Sequence, residues 1–197
     1  SYADYALADS MARTQMQVWQ LLDEVWVRSK AALGHETAML QAVRAARGVH
    51  GEIAPWDWRY WAEQVRRERY AVDDAVLKPY FALPQMVQAA FDCASRLFGL
   101  RFVPRDDVKA YHPDVHAYEV SGRDGTPVGL FLHDNFARAG KRSGAWMSAL
   151  RWQHRNGVPQ RRVIVNNNNF ARGEAGTPTL LSLDDVRTLF HEFGHGL

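Results

Sequence analysis

The chain has 197 residues, 47% of them hydrophobic and 23% charged, which is ordinary globular usage and excludes a disordered or collagen-like polymer. No window approaches the roughly 18 uninterrupted apolar residues of a membrane-spanning helix. The formal net charge of +2 comes from scattered arginines and offers no clustered basic face for nucleic acid. Seven tryptophans lead us to expect large buried contacts. Cys93 is the single cysteine, so an intrachain disulfide is ruled out; its apolar neighbours predict a small core residue, and one thiol fits a reducing compartment. No secretory leader is recognisable, and a cytoplasmic monomer is expected. The chain opens at Ser1 rather than methionine, and both ends read as cut.

Residues 1–100 read as helices. Thr14 with Gln17 has the form of a capping box, followed by Val18, Leu21, Leu22, Val25 and Leu33 at helical spacing. Gly34 is a place for that helix to kink or end, and Arg47–Gly51 is a break. Pro55, Trp56 and Asp57 open a segment through Trp61, Val65 and Arg69, with Arg66–Arg69 as its solvated face. Pro84 starts another helix, its stripe predicted at Met86, Ala89, Ala90, Cys93 and Leu97, and Gly99 stops it.

Beyond Gly99 the period shortens. Val115–Val120 and Val128–His133 are β-rich runs joined by Arg123-Asp124-Gly125, which predicts a hairpin. Arg162–Asn166 is a further strand, which Asn167, Asn168 and Asn169 should weaken because asparagine is depleted in strands. Gly173–Pro178 reads as a loop. A last helix starts at Ser182, an N-cap with Asp185 three residues on, and buries Val186, Leu189, Phe190, Phe193 and Leu197. The predicted class is therefore mostly α, of α+β type. A helical region (1–100) precedes a region (101–197) holding a small antiparallel or mixed sheet and that last helix.

The last helix carries the chemistry. His191 and His195 are four apart and share a face, which lets both imidazoles reach one zinc ion about 2 Å away. Glu192 lies beside the first ligand, placed to take a proton from an attacking water whose pKa the metal lowers. His-Glu-x-x-His at this spacing, on a capped amphipathic helix, is the arrangement that metal-assisted hydrolysis of a peptide bond requires. The competing reading is a buried helix whose polar groups match by chance. His112 and His116 are also four apart, but Pro113 and the β pattern put them on a strand or its approach, roughly 13 Å apart. His35, His50, His133 and His154 read as isolated surface or core residues.

Further motifs extend the pattern. The stretch Thr188–Leu197 resembles the signature of the thimet oligopeptidase family of zinc metallopeptidases. The resemblance continues through Pro55–Glu63, Leu77–Phe81, Tyr111–Val115, Lys141–Met147 and Leu180–Asp185, and so covers nearly the whole chain. Within the family the set is most similar to the peptidyl-dipeptidase (dipeptidyl carboxypeptidase) branch. That resemblance implies a longer, mostly helical enzyme with a channel for short peptides. It also implies zinc held by His191 and His195, Glu192 as general base, and a third ligand, a glutamate, downstream of this chain. It further implies that a peptide lies extended against the strand Arg162–Asn166. The function expected is zinc-dependent release of C-terminal dipeptides from short peptides. The alternatives are an endo-acting oligopeptidase of the same family, or an inactive helical binding module. The 197 residues alone are expected to be inactive.

Overall fold

The structure, a computed structural model, describes residues 1–70 and 74–197. It divides into two compact units, 1–72 and 73–197. No helix among the described residues is long and apolar enough to cross a membrane.

The first unit holds α1 (Tyr2–Leu7), α2 (Gln15–Ala46) and α3 (Trp58–Tyr70). Thr14 caps α2 as expected, its hydroxyl accepting from Gln17 N while the Gln17 side chain accepts from Thr14 N. Gly34 does not break the helix, which runs on to Ala46. Flanking residues that form helix readily absorb the roughly 1 kcal/mol a mid-helix glycine costs. The chain turns at Arg47–Gly51, where Gly48 and Gly51 take positive φ. Leu40, Trp61 and Val65 form a small core between α2 and α3. Arg44 closes it by donating to the carbonyls of Gly51 and Glu52 at 2.6 and 3.1 Å. Trp61 is the only buried tryptophan among the described residues, whereas Trp19, Trp26, Trp56 and Trp152 are exposed. The expectation of large buried tryptophan contacts is therefore corrected: the principal core is built from phenylalanines.

That core lies in the second unit. After α4 (Asp74–Leu77) and a 3-10 turn (Lys78–Tyr80) comes α5 (Leu83–Phe98), which ends on Gly99 at φ 71°. Its buried stripe is Leu83, Val87, Ala90, Phe91 and Ala94. Cys93 and Leu97 point to solvent. The predicted stripe was turned too far round the helix, because Phe91 decides the phase. Its ring stacks on Phe102 at 4.2 Å and meets Tyr118 at 4.8 Å and Phe193 at 5.7 Å.

Five strands form one mixed sheet, in the order β1-β2-β3-β5-β4. These are β1 (Arg101–Pro104), β2 (Val115–Ser121), β3 (Pro127–Phe136), β4 (Trp146–Arg151) and β5 (Arg162–Phe170). β2 and β3 form the predicted hairpin, with Gly125 at φ 81° in its turn. β5 runs parallel to β3 and antiparallel to β4, so it sits between two strands that precede it. The β3–β5 approach is close at Gly129, where a Cβ would stand 2.6 Å from the Arg162 carbonyl oxygen, so no larger residue fits without movement. The four asparagines do not end β5. It has a hydrogen-bonded strand on both sides, and the pairing outweighs their low strand propensity. For the same reason Arg162–Asn166 has no free edge against which a peptide could add, and that expectation is corrected.

Alternation along the strands sends Phe131, Ile164 and Phe170 to the face covered by α5 and by the last helix, α6 (Leu183–Gly196). Val115, Ala117, Leu132 and Val165 go to the opposite face, beneath Val108 and Ala110.

Candidate active site

α6 begins where the sequence predicts. The Ser182 hydroxyl accepts from Asp185 N at 3.1 Å, and the Asp185 carboxylate accepts from Ser182 N at 2.9 Å, closing a capping box. Asp184 and Asp185 also place negative charge at the positive end of the helix. Leu189 and Phe193 are buried in the aromatic core, with Val186 and Phe190 packed against it. Leu197 is 40% exposed, so the buried stripe ends at Phe193 rather than at Leu197 as predicted.

This anchoring fixes the direction of the polar residues. His191 and His195 are exposed, on the side away from the core. Their Nε2 atoms stand 3.1 Å apart with the rings nearly perpendicular, at 87°. Two nitrogens bound at 2.0–2.1 Å to a tetrahedral zinc are separated by about 3.3 Å. The pair thus fits one zinc ion with little adjustment. Glu192 is buried. Gly196, on the same face one turn later, has its Cβ direction 3.4 Å from Asn166 Oδ1 and Ile164 Cγ2. The face carrying Glu192 is therefore turned toward the β5 side of the sheet, while the two imidazoles stand clear. No group of three or more His, Cys, Asp or Glu side chains among the described residues comes together to hold a metal. Asp184 and Asp185 belong to the cap and do not join the histidines.

A second set of residues, which local sequence gave no sign of, shapes the sheet beside α6. Asp134 of β3 is buried at 1% exposure and collects three donors. Arg138 binds it through two bonds of 2.7 Å, Lys141 Nζ donates at 2.9 Å and Tyr111 OH at 2.9 Å. Burial alone would raise the Asp134 carboxyl, but these donors more than reverse that and hold it at about 2. Desolvation lowers the Lys141 pKa, opposed by Asp134; the ammonium also donates to the carbonyls of Asp134, Phe136 and Asn168. Asn169 Nδ2 donates to the carbonyls of Arg142 and Gly144 at 2.8 and 2.6 Å. Together these bonds fasten the loop 137–145 that delivers edge strand β4. The Tyr111–Val115 and Lys141–Met147 motifs are thus accounted for: Tyr111 and Lys141 meet on one carboxylate, and Asp114 pairs with Arg172 after β5. Only the fold unites residues so far apart in sequence.

The expected reading of His112 and His116 holds, since His116 lies on β2 and His112 precedes it. Comparison with known proteins supplies the wider setting. The profile of Peptidase family M3 matches residues 1–197. Dipeptidyl carboxypeptidase of Escherichia coli (strain K12) is 41% identical over 203 residues, and that of Salmonella typhimurium 42% over 204. Oligopeptidase A of Escherichia coli (strain K12) is 37% identical over 199 residues. Each alignment covers all of this chain and 29% of the relative, so the chain spans less than a third of their length. With a family match along its whole length, the chain belongs to Peptidase family M3.

Proposed function

We propose that the chain contributes part of the catalytic centre of a zinc-dependent peptide hydrolase, with His191 and His195 as metal ligands and Glu192 as general base. The observation that carries this is the convergence of the two Nε2 atoms at 3.1 Å, on the helix that also bears a buried carboxylate. A bound zinc supplies Lewis acidity and makes a water nucleophilic near neutral pH. With the metal in place, Glu192 would accept a proton from the attacking water and return it to the leaving amine. The third ligand, on the family resemblance, is a glutamate beyond Leu197.

The peptide is held in extended form. Within the sheet, the free edges belong to β1 and β4. α6 packs over β4 and β5, so the free edge on the side of this helix is that of β4. Adding a peptide strand there uses main-chain hydrogen bonds, which bind many sequences alike. Release of C-terminal dipeptides is the favoured specificity, because the relatives named dipeptidyl carboxypeptidase match at 41–42% against 37% for oligopeptidase A. Internal cleavage is the alternative.

The test is to digest an N-terminally blocked peptide with the complete enzyme, with and without a chelator, and to identify the products. Free dipeptides from the C-terminus that vanish on chelation and return with zinc are expected. Internal fragments would favour the endo-acting alternative, and chelator-resistant hydrolysis would sink the zinc assignment.

A further inference from the structure

His116 and His133 are far apart in sequence, but they are direct partners across the β2–β3 ladder, so their side chains share one face of the sheet. That face is the one covered by α5. Both line a cleft of about 420 Å³ whose other walls include Val87, Gln88 and Asn135. His133 is only 2% exposed, and its Nε2 is buried without a hydrogen-bond partner. A buried polar atom left unpaired is costly, so a group of this kind calls for an explanation.

We propose that His116 and His133 form a second transition-metal site, independent of the pair on α6. One imidazole from each strand supplies the donors, and imidazole suits Cu²⁺, Ni²⁺ and Zn²⁺. No third His, Cys, Asp or Glu joins them among the described residues, so water from the cleft would complete the shell.

An orienting partner is also in place. Asn135 Nδ2 lies 3.4 Å from His133 Nδ1, and Asn168 Nδ2 donates to Asn135 Oδ1 at 3.0 Å. Turning both amides over preserves the bond between the asparagines. It also makes Asn135 Oδ1 the acceptor for a hydrogen on His133 Nδ1, which leaves the Nε2 lone pair to the metal. A carbonyl acceptor behind the ligating ring is the usual support of a metal-bound histidine.

The experiment is a calorimetric titration of Ni²⁺ into the 197-residue chain carrying His191→Ala and His195→Ala, with folding checked by circular dichroism. One equivalent should bind with a micromolar Kd. His116→Ala, an exposed position whose loss spares the core, should remove that binding, as should His133→Gln. Asn135→Leu should weaken it by about ten- to a hundredfold, while His112→Ala leaves it unchanged. Undiminished binding by folded His116→Ala, or no saturable Ni²⁺ binding in the parent, overturns the site. So does loss of binding in His112→Ala, which would give His116 a different partner. None of these outcomes bears on the α6 pair, which is absent throughout.

Discussion

Glu192 follows His191 immediately, and one residue of helix turns the side chain by about 100°. That rotation would separate the two proposed roles: His191 and His195 are exposed, whereas Glu192 is buried in the helix–sheet interface. In the complete enzyme Glu192→Gln should keep zinc and lose at least about a hundredfold in turnover, the scale of a general base. Measured metal content beside kcat checks this, and near-normal turnover with zinc bound would refute the assignment. Asp134 offers a test of stability. Its folded pKa lies near 2, below the ordinary 3.8, so its contribution is complete above about pH 4 and is lost as pH falls from there toward 2. Asp134→Asn should remove that part of the acid transition. It should also cost about 3–5 kcal/mol at neutral pH, because Arg138 and the buried Lys141 lose their carboxylate. Urea melts at pH 7 and pH 3 would show both effects, and a variant as stable as its parent at pH 7 would contradict them.

Elements whose signals are local were legible in the sequence. α6 was announced by Ser182, Asp185 and an apolar stripe, and the β2–β3 hairpin by alternation around Arg123-Asp124-Gly125. The candidate metal pair needed only a helix and a spacing of four. What stayed hidden depends on partners distant in the chain. The phase of α5 was set by Phe102, Tyr118 and Phe193, none of which its own sequence can see. β5 survived its asparagines because β3 and β4 flank it, and β4 itself is short and carries little alternation. The Asp134 cluster and the His116–His133 pairing likewise exist only once the sheet is assembled. The local elements can be tested locally. Ser182→Ala and Asp185→Ala each break the same reciprocal cap and should each cost about 1 kcal/mol, with the double variant costing clearly less than the sum. Equilibrium unfolding of all four forms would measure the coupling, and strict additivity would mean that the box does not act as a unit.

At the scale of the whole molecule, the decisive quantity is how many zinc donors the chain can bring together. Two imidazoles converge on α6, and among the described residues no third His, Cys, Asp or Glu joins them. A catalytic zinc site normally uses three protein ligands, so water would have to fill the shell here. Apart from Glu192, the acids of the helix are Asp184 and Asp185, which stand more than a turn before His191, and Asp185 is already engaged in capping Ser182. The relatives extend well beyond the aligned 29%, which leaves room for a third ligand and for the residues that orient all three. Each missing orienting partner would weaken binding by a further ten- to a hundredfold or so. The 197-residue chain should therefore fold its second unit around the phenylalanine core, bind zinc at the α6 pair no more tightly than micromolar, and turn over no peptide. Calorimetric zinc titration of the His116→Ala chain isolates the α6 pair from the proposed second site, and a blocked-peptide assay runs beside it. Submicromolar one-to-one binding with turnover would show that a complete centre already exists within these residues.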